Sequence, residues 1–418
     1  MKWARKLLYY IFLLIYIAVC PALIMYALGY TLFPASGQVV RTGLVHLSTL
    51  PEGADIFLGR SRYKEKTPAS ITELTPGRYR VGVRKSGYRP WSHLVSIEPG
   101  KAAAFENIIL IPNTPKVTRL AAGRHDDIIP MPGTGFIILK AGDKLIDYLV
   151  FDLDKNTSAQ LIAPGSAFSG LPVISITTQP GSRVVLAYAG TLWTKEYLLI
   201  DTSNGGQTAQ VTKLFPEKPD RVKWAPDDGS AVFTLRDGRV NRLDTAQMAL
   251  YPDYIEGVKN FILEGRSIYT IGKDDTVFKR EYGKIGAPEA VRDNTAYLAL
   301  TRENAEYDKD AKRFLYWTKR DIFTAGTTED GEKLFTQKVY AGGKNIRQCF
   351  WAYKGTHILF VDRNEVKLLE LAPDGNHHVE PLTGIKPGSS VYYSDETGYL
   401  YYLDPKGGGL NGLRILAL

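Results

Sequence analysis

Six histidines, two cysteines and several adjacent acids are the residues of this 418-residue chain that could bind a metal or move a proton. The histidines are His46, His93, His125, His357, His377 and His378. None pairs at the His-x-x-x-His spacing that puts two imidazoles on one helix face, and Cys20 and Cys349 give no thiolate pair for zinc. His377-His378 follows Pro373-Asp374-Gly375-Asn376, a hairpin tip where neighbouring side chains diverge, and reads as exposed loop. His125-Asp126-Asp127, Asp227-Asp228 and Lys273-Asp274-Asp275 fall in expected turns, where Asp bonds its own backbone. No loop spaces the several oxygens that calcium needs. The phosphate-cradling Gly-x-x-x-x-Gly-Lys-Ser/Thr, the Gly-x-Ser-x-Gly nucleophile turn and a helix-opening Gly-x-Gly-x-x-Gly are all missing. No catalytic residue, metal ligand or cofactor is expected, and recognition without covalent chemistry is the expected activity.

Composition narrows the partners. The net charge is +8, but Lys2, Arg5 and Lys6 precede a long apolar run, leaving +5 on the rest. The remaining cations are dispersed with no interleaved stacking aromatics, which excludes nucleic acid as the expected partner. A weakly basic surface suits an anionic polymer or lipid headgroups. The segment Thr301–Arg313 is densely charged and reads as a short helix or mobile insert, solvated rather than functional.

Leu7 to Phe33 contain no charged side chain, 27 residues where about 20 suffice to span a bilayer. The preceding cations put residues 1–6 in the cytoplasm and everything after residue 33 outside, in a single-pass inner-membrane topology. Tyr9 and Tyr10 at one end, and Tyr26, Tyr30 and Phe33 at the other, suit the interfacial aromatic belts. The rival is a cleaved signal peptide, whose apolar region is usually about 7–15 residues long. Ala27-Leu28-Gly29 is a loose match to its cleavage site, so retention as an anchor is the expectation. Cys20, beside Pro21 in mid-run, cannot be a lipidation site and reads as a small apolar residue. Cys349 lies in an apparent buried strand, so the extracytoplasmic part has no internal disulfide, which fits a bacterial envelope. Asn156-Thr157-Ser158 is a formal glycosylation triplet that carries no weight alone.

Residues 43–112 alternate and turn quickly, as in a small antiparallel β-sandwich or half-barrel. Four spaced motifs run through them: Pro51-Glu52-Gly53-Ala54, Thr67-Pro68, Leu74-x-Pro76-Gly77-x-Tyr79 and Gly87-Tyr88. In this order they resemble the PEGA domain family, which implies a small extracytoplasmic β module that binds surface polymers or packs on neighbours, with no catalytic residues. Pro51 to Ala54 are expected to make a structural turn, Gly53 supplying backbone freedom.

A repeat organises the remainder. Apolar runs begin at Phe136, Val184, Val232, Ile268, Phe314, Ile358 and Leu400, separated by 48, 48, 36, 46, 44 and 42 residues. The spacing matches the roughly 40–45 residues of a four-stranded propeller blade. Seven runs fit seven blades, and six stays open if one has decayed. Val222 to Gly229 resembles the Trp-x-Pro-Asp-Gly turn of periplasmic propellers such as that of the Tol-Pal system, with Asp228 inserted. Only Leu410–Leu418 remain after the seventh run, so residues 116–120 are expected to supply the missing outer strand. The fold class is therefore all-β: a transmembrane helix (7–33), a PEGA-like sandwich (43–112) and a β-propeller (116–418). The expected function is binding or scaffolding in the bacterial envelope, directed at a protein or anionic surface polymer, with the bilayer engaged through residues 7–33. The competing reading is a glycan lyase or hydrolase with its site at the channel mouth; a structural spacer is the third.

Overall fold

The computed structural model describes all residues except 1, 28, 34–37, 142–146, 192, 216–217, 227–228, 283–286, 292–296, 298–304, 309–312, 328–333 and 417–418. Asp227-Asp228 and parts of Thr301–Arg313 thus lie outside the described residues.

The chain divides into two units. The smaller comprises Met1–Pro115, Glu370–His378 and Ile415–Leu418. It begins with α1 (Lys2–Ala27), an acid-free helix with Pro21 inside it, of which Lys6–Ala27 is long and apolar enough to cross a membrane. The helix ends earlier than the uncharged run. Gly29, in the left-handed region at φ +81°, donates its N–H to the Tyr26 carbonyl, and Tyr30–Phe33 is a strand, β1. It pairs with β2 (Gln38–Arg41). The apolar span therefore stops at Ala27 rather than Phe33, because backbone geometry, not hydropathy, closes the helix.

Seven strands come next: β3 (Gly43–Leu50), β4 (Asp55–Leu58), β5 (Ser61–Lys66), β6 (Ala69–Leu74), β7 (Gly77–Arg84), β8 (Trp91–Ile97) and β9 (Ala102–Ile109). They form two sheets, ordered β6-β3-β9 and β5-β4-β7-β8. Strict alternation in β3 and β8 turns Val45, Leu47, Trp91, Val95 and Ile97 into a shared core with Ile56, Val81, Val83 and Phe105. The module is not wholly antiparallel as expected: β9 lies parallel to β3, because the chain changes sheets between β8 and β9. The strand β5, Ser-Arg-Tyr-Lys-Glu-Lys, carries no apolar alternation, since an edge strand open to water is blunted by charge instead.

The larger unit, Lys116–Leu369 with Val379–Arg414, consists of seven four-stranded antiparallel sheets in chain order. Six are continuous meanders; the first runs His125–Met131, Phe136–Ala141, Asp147–Asp152 and Thr157–Gln160. In the seventh, Tyr392–Ser394, Tyr399–Leu403 and Leu410–Arg414 are joined by Lys116–Ala121 from the other end of the unit. The register sets Lys116 opposite Arg414 and Val117 opposite Leu413. Each apolar run of the repeat is the second strand of one sheet, which explains its near-continuous hydrophobicity: it is covered on both faces.

Packing passes from sheet to sheet. Met131 and Ile138 of the first meet Val185 and Leu198 of the second, whose Leu186 and Leu199 meet Trp224 and Leu243 of the third. Phe233 then packs with Phe261 of the fourth, and Tyr269 with Phe314 and Tyr316 of the fifth. The Arg313 guanidinium donates to the Gly355 carbonyl of the sixth at 2.7 Å, and Gln348 accepts the Val391 N–H of the seventh at 3.0 Å. Tyr401 and Leu403 finally pack with Ile128 and Leu139 of the first. This circular sequence of meanders is β-propeller topology.

Four first strands share a bulge, between His125 and Asp127, Val173 and Ser175, Val258 and Asn260, and Ile346 and Gln348. Side-chain oxygens after the bulge accept backbone N–H groups: Asp127 from Ile128 and Ser390, Asn260 from Phe261, and Gln348 from Val391. His125-Asp126-Asp127 is thus a strand start and not a turn: Asp127 accepts backbone N–H groups, and Asp126 pairs with the Lys386 ammonium. Ala305–Asp308 is likewise the first strand of the fifth sheet, correcting the helix or insert expected across Thr301–Arg313. Its charges conceal a strand whose partner, Arg313–Trp317, supplies the apolar face.

Candidate functional site

The Pro51-Glu52-Gly53-Ala54 turn joins β3 to β4, and its partners lie in the second motif. Thr67 is buried, and its hydroxyl accepts the Ala54 N–H at 2.9 Å while meeting the Thr49 hydroxyl at 2.6 Å. The Thr67 backbone accepts from Gly53 at 2.8 Å and donates to Ala54 at 3.0 Å. Thr49 also donates to the Pro51 carbonyl, and the Lys85 ammonium to that of Glu52 at 2.7 Å. Gly53 sits at φ +79°, and Ala54 is fully buried. The four motif residues and Thr67 therefore form one hydrogen-bonded corner.

Histidines of this unit have firm partners. His93 is buried between Trp91 and Phe105, with ring centroids 5.7 and 4.9 Å away, and its Nε2 lies 2.9 Å from Asp374. Trp91 donates its indole N–H to Glu370 at 2.7 Å; burial raises the Glu370 pKa against that bond. His377 is half-buried, and its Nδ1 accepts the Ala372 N–H at 3.0 Å. It is a hairpin brace rather than the exposed loop residue expected, because the turn folds its imidazole back onto its own backbone. His378 opens the strand His378–Gly384.

Among the acids, Asp126 pairs with Lys386 at 2.6 Å, a bond that lowers its pKa. Asp274 caps Thr276 in a turn, and Asp275 pairs with Lys259 at 2.9 Å. His357 is fully buried, and desolvation pushes its pKa down to about 3. Cys349 is buried, and burial together with Glu306 raises its thiol pKa. His46 meets the Ser70 hydroxyl at 2.9 Å. Among the described residues no three His, Cys, Asp or Glu side chains converge as a metal site would require.

The concave site of the larger unit is a cavity of about 1080 Å3 to which all seven sheets contribute. Its lining comes mainly from first strands and the loops after them, among them Pro132, Thr178, Trp224, Leu263, Glu306, Trp351 and Asp395. Such a position, where many loops converge on one axis, collects residues far apart in sequence. The walls are largely aromatic and aliphatic, with Phe314 and Ile262 joining the two tryptophans in the lining. Trp224 donates its indole N–H to the Thr177 carbonyl at 3.1 Å, and Arg313 lies 4.7 Å above the Trp351 ring. Tyr353 and Lys354, successive non-glycine residues at φ +52° and +56°, shape the loop after Trp351. The Asp395 carboxylate fixes that loop by accepting the Tyr353 N–H at 3.0 Å.

Lys223 and Glu306 are the ionisable residues of the lining that lie on strands, Lys354 and Asp395 lying on loops. Lys223 pairs in register with Phe233, and Glu306 with Leu315, each partner being the second residue of its apolar run. The two therefore stand at one level of the first strands, two sheets apart, with Ile262 of the intervening sheet at the same level. Burial lowers the Lys223 pKa, with Arg221 adding to the effect. Neither residue stands out in the sequence. A period-aligned reading of the position eight or nine residues before each run would have found both.

Residues 42–108 match the family described as PEGA domain. No curated protein matches the chain. Among solved structures the chain is similar to the tricorn protease, at 12% identity and a TM-score of 0.43, over 78% of this chain and 36% of that one. It is also similar to PorZ, a bacterial surface component of the type-IX secretion system of Porphyromonas gingivalis (12%, TM-score 0.40, 72% of this chain and 39% of that one). The N-terminal domain of Nup159 is a third, at 11% identity and a TM-score of 0.39, over 72% of this chain and 97% of that one.

Proposed function

We propose that this protein is a membrane-anchored, extracytoplasmic binding or scaffolding protein of the bacterial envelope whose propeller mouth receives a partner. Residues 1–6 form the cytoplasmic stub, the apolar remainder of α1 is a retained anchor, and the PEGA match at 42–108 supports an extracytoplasmic location for the chain beyond the anchor. The seven sheets act as seven blades of a closed ring, with Lys116–Ala121 completing the last blade and leaving no long open edge. The PEGA corner is structural: its polar groups are engaged by Thr49, Thr67 and Lys85.

The cavity to which every sheet contributes carries the reading. Its aromatic and aliphatic lining with a few fixed polar groups suits recognition. The test is chemical cross-linking of the tagged full chain in native membranes, then purification, for wild type and Trp351→Ala. The expected result is a discrete partner that is lost or reduced at least about tenfold in the variant. Partners retained undiminished would contradict binding at the mouth.

A further inference from the structure

Lys223 and Glu306 occupy the same level of the cavity but differ in how they are held. Lys223 is half-buried on its strand, and its ammonium lies 5.9 Å from the Phe261 ring centroid and makes no ion pair or hydrogen bond with any described residue. A desolvated ammonium without a counter-ion is costly, and an arriving anion would relieve that cost. The Trp351 indole N–H, buried with no acceptor among the described residues, is a second donor in the same lining. Lys354, the other lysine of the lining, is exposed on its loop. Asp395 is engaged by the Tyr353 N–H and the Tyr393 hydroxyl, and the Glu306 carboxyl group stands two sheets from Lys223. The mouth is therefore not uniformly cationic: among the described lining residues, one desolvated cation sits between apolar walls with acids nearby. That pattern repels a densely charged polyanion and accommodates one carboxylate flanked by apolar groups.

We propose that the mouth recognises a polypeptide segment presenting a single carboxylate between apolar side chains, and that Lys223 receives that carboxylate. This rests on the mouth being the binding site. The test is selection of random dodecapeptides on the purified full chain in detergent micelles, with isolated peptides then titrated against variants. Selected peptides are expected to carry one Asp or Glu beside apolar residues. Lys223→Met, which keeps the aliphatic stem, should weaken them about tenfold or more, while Lys223→Arg retains binding. Unchanged thermal unfolding of Lys223→Met keeps the comparison free of folding defects. Peptides without an acidic residue, or unaffected by Lys223→Met yet weakened by Trp351→Ala, would overturn the carboxylate assignment alone. Peptides indifferent to both substitutions would overturn the mouth itself. Poly(glycerol phosphate) binding that depends on Lys223, in place of peptide binding, would assign the anion to a polymer and contradict the proposal, as would a selection that returns no binder.

Discussion

Thr67 joins the PEGA corner through both its hydroxyl and its backbone, so its side chain does more than its place outside the named tetrapeptide suggests. Thr67→Val preserves the shape but removes the acceptor for the buried Ala54 N–H. A donor stranded in this way costs about 1–3 kcal/mol. Chemical denaturation of the small unit's transition should show that loss, and a value within error of wild type would mean that the corner does not depend on this bond. The corner also separates what can be read from sequence from what cannot. Thr67-Pro68 is visible as a motif, but the fact that it closes on residues 53 and 54 becomes evident only when β3 and β6 pair. His377 is obscured for a similar reason: adjacency in a strand implies divergence, yet a turn can return one ring to its own backbone.

At the level of elements, second strands are legible and first strands are not. Phe136, Val184 and Ile358 begin runs that are apolar throughout because both faces are covered, so period and hydropathy coincide there. Four first strands instead carry a bulge, and polar residues just after it bond backbone, as at Asp127 and Gln348, which breaks the alternation by which strands are recognised. Hydropathy overextends the N-terminal span for a comparable reason, because it does not register the left-handed Gly29 that ends α1. The buried second strands also bear a pH consequence. His357, in the sixth sheet, keeps a folded pKa of about 3 while its unfolded value is the ordinary one near 6.5. Below about pH 6.5 the unfolded chain takes up a proton that the folded chain refuses, so stability present above that pH is lost as pH falls. Between about pH 7 and about pH 5 this single group should contribute about 2 kcal/mol of destabilisation. Urea unfolding of His357→Gln should show a shallower acid dependence by that amount; an equally steep dependence would contradict the assignment.

For the molecule as a whole, the repeat reveals the architecture and leaves the site hidden. Seven runs at a mean spacing of 44 residues indicate blades, and Lys116–Ala121 pairs with Leu410–Arg414 to supply the fourth strand of the seventh sheet. No local pattern marks Lys223 or Glu306, since the cavity arises only when first strands about forty residues apart are brought around one axis. Anchoring outside the cytoplasm is the claim on which partner, binding surface and envelope role all depend. It is tested most directly by placing a lone thiol at an exposed hairpin tip, Trp193→Cys, in a chain carrying Cys20→Ser and Cys349→Ala; Trp193 is 92% exposed. A membrane-impermeant maleimide applied to intact spheroplasts should label a full-length 46.5 kDa chain that remains in carbonate-washed membranes. Labelling that requires lysis, or a labelled chain that is soluble and shortened by the length of α1, would contradict the account.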